Sequence, residues 1–170
     1  DSTKARDYFS WSKLTLLDLL QLECKKEEKK LAWLRVFYAY GPHQREESLV
    51  PMLMNSLKNG KIPDIRTPLN SNDFIYVGDV AEAFSLFTNQ DFSSGIYNLG
   101  SGSMTSVLEV CRQVEELLFN HTNLSDELEK RGAGSVSDTA FYASTNKSFK
   151  EVGWSAKTSI RQGVSKILSE

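Results

Sequence analysis

Residues 31–42 of the chain read Leu-Ala-Trp-Leu-Arg-Val-Phe-Tyr-Ala-Tyr-Gly-Pro. The first ten of these residues are too apolar and too aromatic for a surface segment, and the Gly-Pro pair ends the run sharply. Apolar runs without polar alternation are typical of strands that are covered on both faces of a parallel sheet. We therefore predict a buried, parallel strand over residues 31–40.

Helical and extended patterns alternate on both sides of this strand. Residues 7–30 place apolar side chains on a broad helical face and end in a charged run. The segments that follow are predicted as helix, strand, helix, strand and helix, in the order 46–59, 72–77, 79–89, 95–100 and a helix beginning at Ser103 or Thr105. A Gly- and Ser-rich break at residues 132–135 precedes a short strand around residues 141–143 and two terminal helices. This alternation predicts an α/β fold in which helices cover a partly parallel sheet.

The composition argues against several classes of protein. The chain has 170 residues, the size of one domain, with 20 Lys and Arg against 22 Asp and Glu. No long basic stripe suggests a nucleic acid partner, and no apolar run approaches the ~20 residues that span a membrane. Cys24 and Cys111 lack the spacing and the histidine neighbours of a metal site, so we expect reduced thiols and no metal. The default expectation is a cytoplasmic protein.

Three blocks of sequence together resemble one known family. The blocks are FSWSKL (9–14) with LRVFYAYGPHQ (34–44), NDFIYVGDVAEAF (72–84), and GIYNLGSG (95–102) followed by ASTNKSFKEVGW (143–154). Their order and content are similar to the extended short-chain dehydrogenase/reductase family, which contains the nucleotide-sugar epimerases and 4,6-dehydratases. The blocks cover nearly the whole chain.

The resemblance implies an α/β fold made of the carboxyl-terminal part of a Rossmann-like doubly wound sheet and a small substrate-binding subdomain. Residues 1–45 would end the nucleotide-binding domain, and residues 46–170 would form mainly the substrate-binding subdomain, with short returns to the main sheet. The family's phosphate-binding fingerprint, G-x-x-G-x-x-G after a first strand, does not occur in the sequence. Since the chain also begins at Asp1 without a Met, we expect it to be a piece of a longer protein.

The resemblance further implies ligands and a partner. The cofactor would be NAD or NADP, the substrate a nucleotide sugar, and the assembly a homodimer through the helix that carries Lys13. The whole protein would be an epimerase, dehydratase or reductase, and the chain alone is expected to be inactive. The alternative is a non-catalytic protein of the same fold that senses or binds a dinucleotide.

The catalytic pair of the family is altered in this chain. In the family a Tyr takes the proton of a sugar hydroxyl, and a Lys four residues later lowers the pKa of that Tyr from the same helical face. Lys13 matches the Lys, but Phe9 stands at the Tyr position and cannot accept a proton. Three interpretations are open: an engineered Tyr-to-Phe change, a naturally altered or non-catalytic member, or a distorted helix start that brings Tyr8 into the Tyr role. Without the resemblance, Lys13 would be an ordinary solvated lysine.

Binding residues follow from the same resemblance. Phe37 and Tyr38 match positions that line the nicotinamide pocket, with core packing as the alternative for both. Residues 40–51 are similar to the loop and helix on which relatives lay the nucleotide, and an arginine fork there suits a diphosphate. The candidate substrate-binding residues are Arg45, Leu49, Arg66 and Asn72, the last at a position where many relatives carry a diphosphate-binding Arg.

Overall fold

The computed structural model describes residues 7–131 and 142–169, and these form helices and strands that we number in chain order. The helices are α1 (Tyr8–Lys26), α2 (Leu49–Lys58), α3 (Val77–Asn89), α4 (Val107–Phe119), α5 (Asn123–Arg131), α6 (Asn146–Val152) and α7 (Ile160–Leu168). The strands are β1 (Ala32–Val36), β2 (Tyr38–Tyr40), β3 (Ser71–Asn72), β4 (Phe74–Tyr76), β5 (Gly95–Leu99) and β6 (Thr105–Ser106). Strands and helices alternate along the chain, as the sequence predicts.

The segment predicted as one strand over residues 31–40 forms two strands with different partners. β1 pairs with β5 and β2 pairs with β4, both in parallel. At the break, the amide of Phe37 donates to the carbonyl oxygen of Leu99 at 2.9 Å, and the amide of Tyr38 donates to the carbonyl oxygen of Asp73 at 3.1 Å. The prediction of parallel pairing is confirmed, whereas the prediction of one continuous strand is wrong because the chain changes partner at Phe37.

The predicted burial of this segment holds at its carboxyl end. Tyr40 is buried, whereas the side chain of Tyr38 is 58% exposed and that of Val36 is 40% exposed. Within the described ranges β1 has one strand partner, so its second edge has no neighbouring strand there. The apolar composition of residues 31–40 therefore predicts a more buried segment than the described residues produce.

Two apolar clusters lie on opposite faces of β4. The larger cluster joins β2 and β4 to four helices, and its buried members are Tyr40, Val50, Leu53, Leu57, Phe74, Tyr76, Leu108, Val110, Cys111, Val114, Leu128 and Val164. The second cluster joins β4 and β5 to α3 and α6, and its buried members are Ile75, Val80, Ala83, Phe87, Tyr97, Leu99, Val152 and Trp154. Since side chains alternate along a strand, Phe74 and Tyr76 enter the first cluster and Ile75 enters the second. β4 is thus covered on both faces.

Helix α7 approaches β2 closely at one point. The Tyr40 hydroxyl donates to the carbonyl oxygen of Ser159 at 3.2 Å. A Cβ atom added at Gly163 would lie 2.2 Å from the hydroxyl oxygen of Tyr40 and 2.7 Å from two of its ring carbons. The contact therefore requires a residue without a side chain at this position of α7.

The helix predicted to start at Ser103 or Thr105 begins later, at Val107. The two residues before it form β6, whose antiparallel pairing with β3 keeps their backbone extended. Ser106 then caps α4, because its side chain accepts a hydrogen bond from the amide of Glu109 at 3.0 Å. The predicted start is wrong because the first residues of the helical pattern instead form β6, which pairs with the distant strand β3.

In the predicted helix over residues 79–89, Asp79 would be the N-cap, and this prediction is wrong. Asp79 lies in the first turn of α3, which begins at Val77. Its carboxylate accepts hydrogen bonds from the amides of Lys157 and Thr158, at 3.1 and 2.9 Å, and from the Thr158 hydroxyl at 2.9 Å. A buried carboxylate needs several donors, and the distant segment supplies them.

The short strand predicted around residues 141–143 is absent from the described part of this segment. Phe141 and the break at residues 132–135 lie outside the described residues, while Tyr142 and Ala143 belong to no strand. The amide of Ala143 donates to the carboxylate of Asp73 at 2.8 Å. The backbone amide of Ala143 therefore bonds to a side-chain carboxylate and not to the backbone of a neighbouring strand.

Candidate active site

Helix α1 sets Phe9 and Lys13 beside each other. Asp7 caps the helix by accepting a hydrogen bond from the amide of Ser10 at 2.7 Å, and this bond holds the pKa of Asp7 below its ordinary value. The Lys13 ammonium lies over the Phe9 ring, 5.6 Å from the ring centroid. The i, i+4 spacing therefore brings these two residues onto one face, as the sequence predicts.

Tyr8 is the first residue of α1 and points largely into solvent. Its side chain is 90% exposed, and that of Phe9 is 71% exposed. The helix is regular from Tyr8 onward. A substitute role for the Tyr8 hydroxyl stays a prediction.

A cleft of about 800 Å³ opens between α1 and β1. Its lining residues are Phe9, Ser10, Lys13, Leu14, Leu17, the five residues of β1 and Phe84. Most of the wall is apolar, and two cationic side chains, Lys13 and Arg35, join it. Small-molecule sites typically have this size and combine apolar walls with a few polar groups.

A second cleft of about 400 Å³ is lined by Val36, Phe37 and Tyr38. Val36 also lines the larger cleft, so the two openings are neighbours. The Tyr38 ring packs against Phe74, with the centroids 6.0 Å apart. The structure thus brings the predicted nicotinamide-pocket residues close to the cleft that Lys13 lines.

The four predicted substrate-binding residues lie apart from the larger cleft. Arg45 and Arg66 are exposed, and no ion pair joins either guanidinium to a residue in the described ranges. Asn72 is half-buried and stands opposite Thr105 in the pair formed by β3 and β6. Leu49 begins α2 and packs against the larger apolar cluster. None of the four lines the cleft of about 800 Å³.

Asp73 is a fully buried carboxylate to which the sequence pattern assigns only a place at a strand edge. It accepts hydrogen bonds from the amide and hydroxyl of Ser101, at 2.6 and 2.7 Å. The amides of Gly102 and Ala143 also donate to it, at 3.1 and 2.8 Å. A carboxylate next to an apolar strand indicates that several donors are needed, but the sequence does not identify the residues that supply them.

Neither cysteine belongs to a metal site within the described ranges. Cys24 is half-buried and Cys111 is buried, and both are free thiols. Burial raises the pKa of the Cys111 thiol. Residues 7–131 and 142–169 hold no group of three side chains suited to a metal ion. No helix in these ranges combines the length and the hydropathy needed to cross a membrane.

Comparison with known proteins identifies relatives among enzymes of nucleotide-sugar metabolism. The chain is 28% identical over 137 residues to CDP-abequose synthase of Salmonella muenchen, covering 80% of this chain and 46% of that protein. It is 28% identical over 134 residues to dTDP-D-glucose 4,6-dehydratase of Bos taurus, covering 76% of this chain and 37% of that protein. The chain thus spans less than half the length of these two relatives.

Solved structures give the same fold. The dTDP-glucose 4,6-dehydratase of Bacillus anthracis, solved in complex with NAD, matches 98% of this chain and 52% of its own length, with a TM-score of 0.76 and 20% identity. MoeE5, solved with UDP-glucuronic acid and NAD, matches 84% of this chain and 47% of its own length, with a TM-score of 0.65 and 25% identity. The predicted Rossmann-like α/β fold is confirmed.

The family model described as "NAD dependent epimerase/dehydratase family" matches residues 1–100. The matched region holds Phe9, Lys13, both strands of the split segment and Asp73, together with the candidate substrate-binding residues. The resemblance carried by the three sequence blocks is confirmed, and the chain belongs to the NAD-dependent epimerase/dehydratase family.

Proposed function

We propose that the chain supplies the catalytic lysine and the substrate-binding portion of an enzyme that epimerises, dehydrates or reduces a nucleotide-activated sugar. The observation that carries this proposal is the Lys13 ammonium over the Phe9 ring at the wall of a cleft of about 800 Å³. Family membership and the names of the relatives support it. Because the chain spans about half the length of its relatives, the activity is proposed for the whole protein.

The cleft fits the nicotinamide end of NAD or NADP. Its walls are mainly apolar, as a flat aromatic ring requires, and Lys13 offers a cationic donor to ribose hydroxyls. Phe37 and Tyr38 line the neighbouring opening and would flank the ring. Bound there, the cofactor would supply the hydride acceptor for oxidation of the sugar.

Proton transfer is where this chain departs from its family. Phe9 has no group that holds a proton, so a sugar hydroxyl needs another acceptor. A Tyr at position 9 would have its ring beside the Lys13 ammonium, which favours the charged phenolate and lowers the phenol pKa. The engineered change, the naturally altered member and the substitute role of Tyr8 remain the three interpretations.

The nucleotide part of the substrate is proposed to lie against Arg45, Leu49, Arg66 and Asn72. Two exposed guanidinium groups suit a diphosphate, because each offers a planar fork of donors. Asn72 donates hydrogen bonds without charge, so the arginines would carry the electrostatic attraction. Leu49 would supply an apolar contact to the base.

Calorimetric titration with UDP-glucose, dTDP-glucose and CDP-glucose tests this assignment. Arg45→Ala and Arg66→Ala are each expected to weaken the binding of the best ligand roughly tenfold, since each removes a charge-assisted contact. Lys58→Ala, which removes an exposed positive charge at the end of α2, is the matched control. Unchanged affinity in both arginine variants would reject the diphosphate clamp.

The second candidate function is a non-catalytic protein that senses or binds a dinucleotide. The replacement of the family Tyr by Phe9 favours it, because the proton acceptor is lost while Lys13 is kept. Analysis of the sugar product, together with nicotinamide absorbance, separates the two candidates when the whole protein is incubated with nucleotide sugars and with NAD or reduced cofactor. A sensor would bind the dinucleotide and leave the sugar unchanged. An epimerase or dehydratase would convert the sugar without net reduction of NAD, because the hydride returns to the sugar, and a reductase would consume reduced cofactor.

We also propose a homodimer through α1, a subdomain boundary near residue 45 and a cytoplasmic location. Several large apolar side chains of α1 are exposed, and these are Trp11, Leu16, Leu19 and Leu22. A second copy of the helix would cover them. Sedimentation equilibrium tests the dimer, and a monomer throughout the micromolar range would reject it.

A further inference from the structure

The Asp73 carboxylate is buried at a junction of three chain segments. It receives four hydrogen bonds of 2.6–3.1 Å, and three of the donors are backbone amides of residues outside the strand ladders. A buried carboxylate without partners is costly, so its presence is explained only by what it holds together. The four donors come from Ser101, Gly102 and Ala143.

A backbone hydrogen bond also connects Asp73 to Tyr38, which we assign to the nicotinamide pocket. Asp73 stands between β3 and β4, and its carbonyl oxygen accepts the hydrogen bond from Tyr38 at the point where the chain changes strand partner. Its side chain and its main chain therefore connect different segments. Any tilt of Asp73 would move the start of β2, which carries Tyr38.

Asp73 is also connected to the proposed substrate-binding residue Asn72, through a closed ring of contacts that runs from the Asp73 carboxylate through residues 100–103, β6 and β3 back to Asp73. The loop formed by residues 100–103 is held by the Asp73 carboxylate and leads directly into β6. β6 pairs with β3, which ends at Asn72, the residue before Asp73. A Cβ atom at Gly100 would lie 2.6 Å from the Asp73 carboxylate, so the loop packs tightly on this group. The position of Asn72 is thus fixed from both sides.

We propose that Asp73 is a positioning residue, which sets the spacing between the substrate strand at Asn72 and the cofactor-side backbone at Tyr38. The role rests on the proposed function, since it acts through two residues assigned to binding. Asp73 itself is fully buried, so the proposed role involves no direct contact with a ligand. Asp73 would act by fixing the positions of Asn72 and Tyr38, to which the binding roles are assigned.

The test compares Asp73→Asn with Asp79→Asn in nucleotide-sugar titrations. Asp73→Asn replaces one acceptor oxygen by an NH₂ group that faces amide donors, so the ring of contacts opens. We expect roughly tenfold weaker binding of the nucleotide sugar. Asp79 is also buried, and its carboxylate accepts three hydrogen bonds, one fewer than that of Asp73, from donors in residues 157–158. Asp79→Asn should lower the melting temperature similarly and leave the affinity within about twofold.

Each outcome decides the role. Equal losses of affinity in the two variants, or unchanged affinity in Asp73→Asn, would overturn the positioning role. Absence of binding by the unmodified protein to every nucleotide sugar tried would reject the proposed function and, with it, this role. If Asp73→Asn fails to fold by circular dichroism, Ser101→Ala removes a single hydroxyl donor and should weaken binding in the same direction.

Discussion

At the scale of single residues, Phe9 and Lys13 define what the chain retains and what it lacks. The ammonium lies 5.6 Å from the centre of the Phe9 ring, in the geometry that would lower the pKa of a phenol at that position. The ring cannot take a proton, so the electrostatic half of the pair is present without its acceptor. In the function that we propose, the framework for catalysis is therefore better preserved than the proton transfer itself.

Restoring a Tyr tests this interpretation directly. In the whole protein, Phe9→Tyr should raise turnover of a nucleotide sugar by about 100-fold, the typical contribution of a positioned general base. Thr15→Ala, at an exposed position of α1 that does not line the cleft, is the control and should leave turnover unchanged. Loss of turnover in Tyr8→Phe would instead identify Tyr8 as the acceptor. Turnover that does not respond to Phe9→Tyr would reject Phe9 as the defect.

The residues of the site differ in how far the sequence predicts them. The i, i+4 relation of Phe9 and Lys13 follows from helical periodicity, and the structure has it. The role of Asp73 does not follow, because its donors at Ser101, Gly102 and Ala143 are distant in sequence. Local sequence patterns predict which face of a helix or strand a residue occupies. The hydrogen-bond donors of a buried carboxylate depend on the tertiary fold, so local patterns do not predict them.

At the scale of elements, long-range pairing decides where the local patterns fail. The helix predicted over residues 7–30 is present as Tyr8–Lys26, and the one over residues 46–59 as Leu49–Lys58. The continuous strand over residues 31–40 fails, because β4 and β5 take different parts of it as partners. Periodicity identifies an element, but its partners set its ends.

The start of helix α5 also depends on a contact that is distant in sequence. The carboxylate of Glu115 in α4 is fully buried and accepts hydrogen bonds from the amides of Leu124 and Ser125, at 2.9 and 2.8 Å. The Ser125 hydroxyl donates to it at 2.5 Å. The first turn of α5 is therefore capped by a neighbouring helix, which no local motif of α5 reveals.

The contact between α7 and β2 gives a prediction at this scale. Gly163→Ala should lower the free energy of unfolding by about 1–3 kcal/mol, because the new Cβ meets the buried Tyr40 ring. The better helix propensity of Ala, about 1 kcal/mol, offsets only part of this cost. Urea unfolding measures the change.

Two further variants control this experiment. Ser165→Ala, on the exposed side of α7, should change the free energy of unfolding by less than about 0.5 kcal/mol. Adding Tyr40→Phe to Gly163→Ala removes the atom nearest to the new Cβ and should recover part of the loss. A Gly163→Ala variant as stable as the original protein would contradict the close contact.

At the scale of the whole molecule, burial of ionisable groups links stability to pH. Burial raises the pKa of both Cys111 and Tyr40, so the folded state holds these protons more tightly than the unfolded state. The contribution of Cys111 to stability is complete below the ordinary thiol pKa of 9.0 and is lost as the pH rises above it. The contribution of Tyr40 is lost in the same direction above the ordinary phenol pKa of 10.0. We expect the urea midpoint to fall progressively above pH 9.0.

The two cysteines separate this effect from other alkaline titrations. Cys111→Ala should reduce the decline of the urea midpoint above pH 9.0, because the buried thiol no longer contributes. Cys24→Ala, which changes a half-buried thiol, should leave the decline as it is. Identical pH profiles for the two variants would show that Cys111 does not carry the effect.

The exposed apolar surface of α1 and β1 also belongs to this scale. The apolar residues of α1 extend beyond the broad helical face predicted from the sequence and occur around the whole circumference of the helix. Leu17 is nevertheless its one buried residue within the described part of the chain. Helices that are apolar on every side are normally enclosed by protein. The surface is expected to be covered in the whole assembly, and the proposed α1 dimer would cover part of it.

The parallel pair of β1 and β5 has a consequence during synthesis. Ala32 pairs with Gly95, so β1 leaves the ribosome well before its partner has been made. At about 5–20 residues per second, the delay is on the order of 3–12 seconds. Until then the apolar strand has no β5 partner, and transiently exposed apolar surface of this kind makes a nascent chain prone to aggregation. Slower translation between these two strands should therefore lower the yield of folded protein.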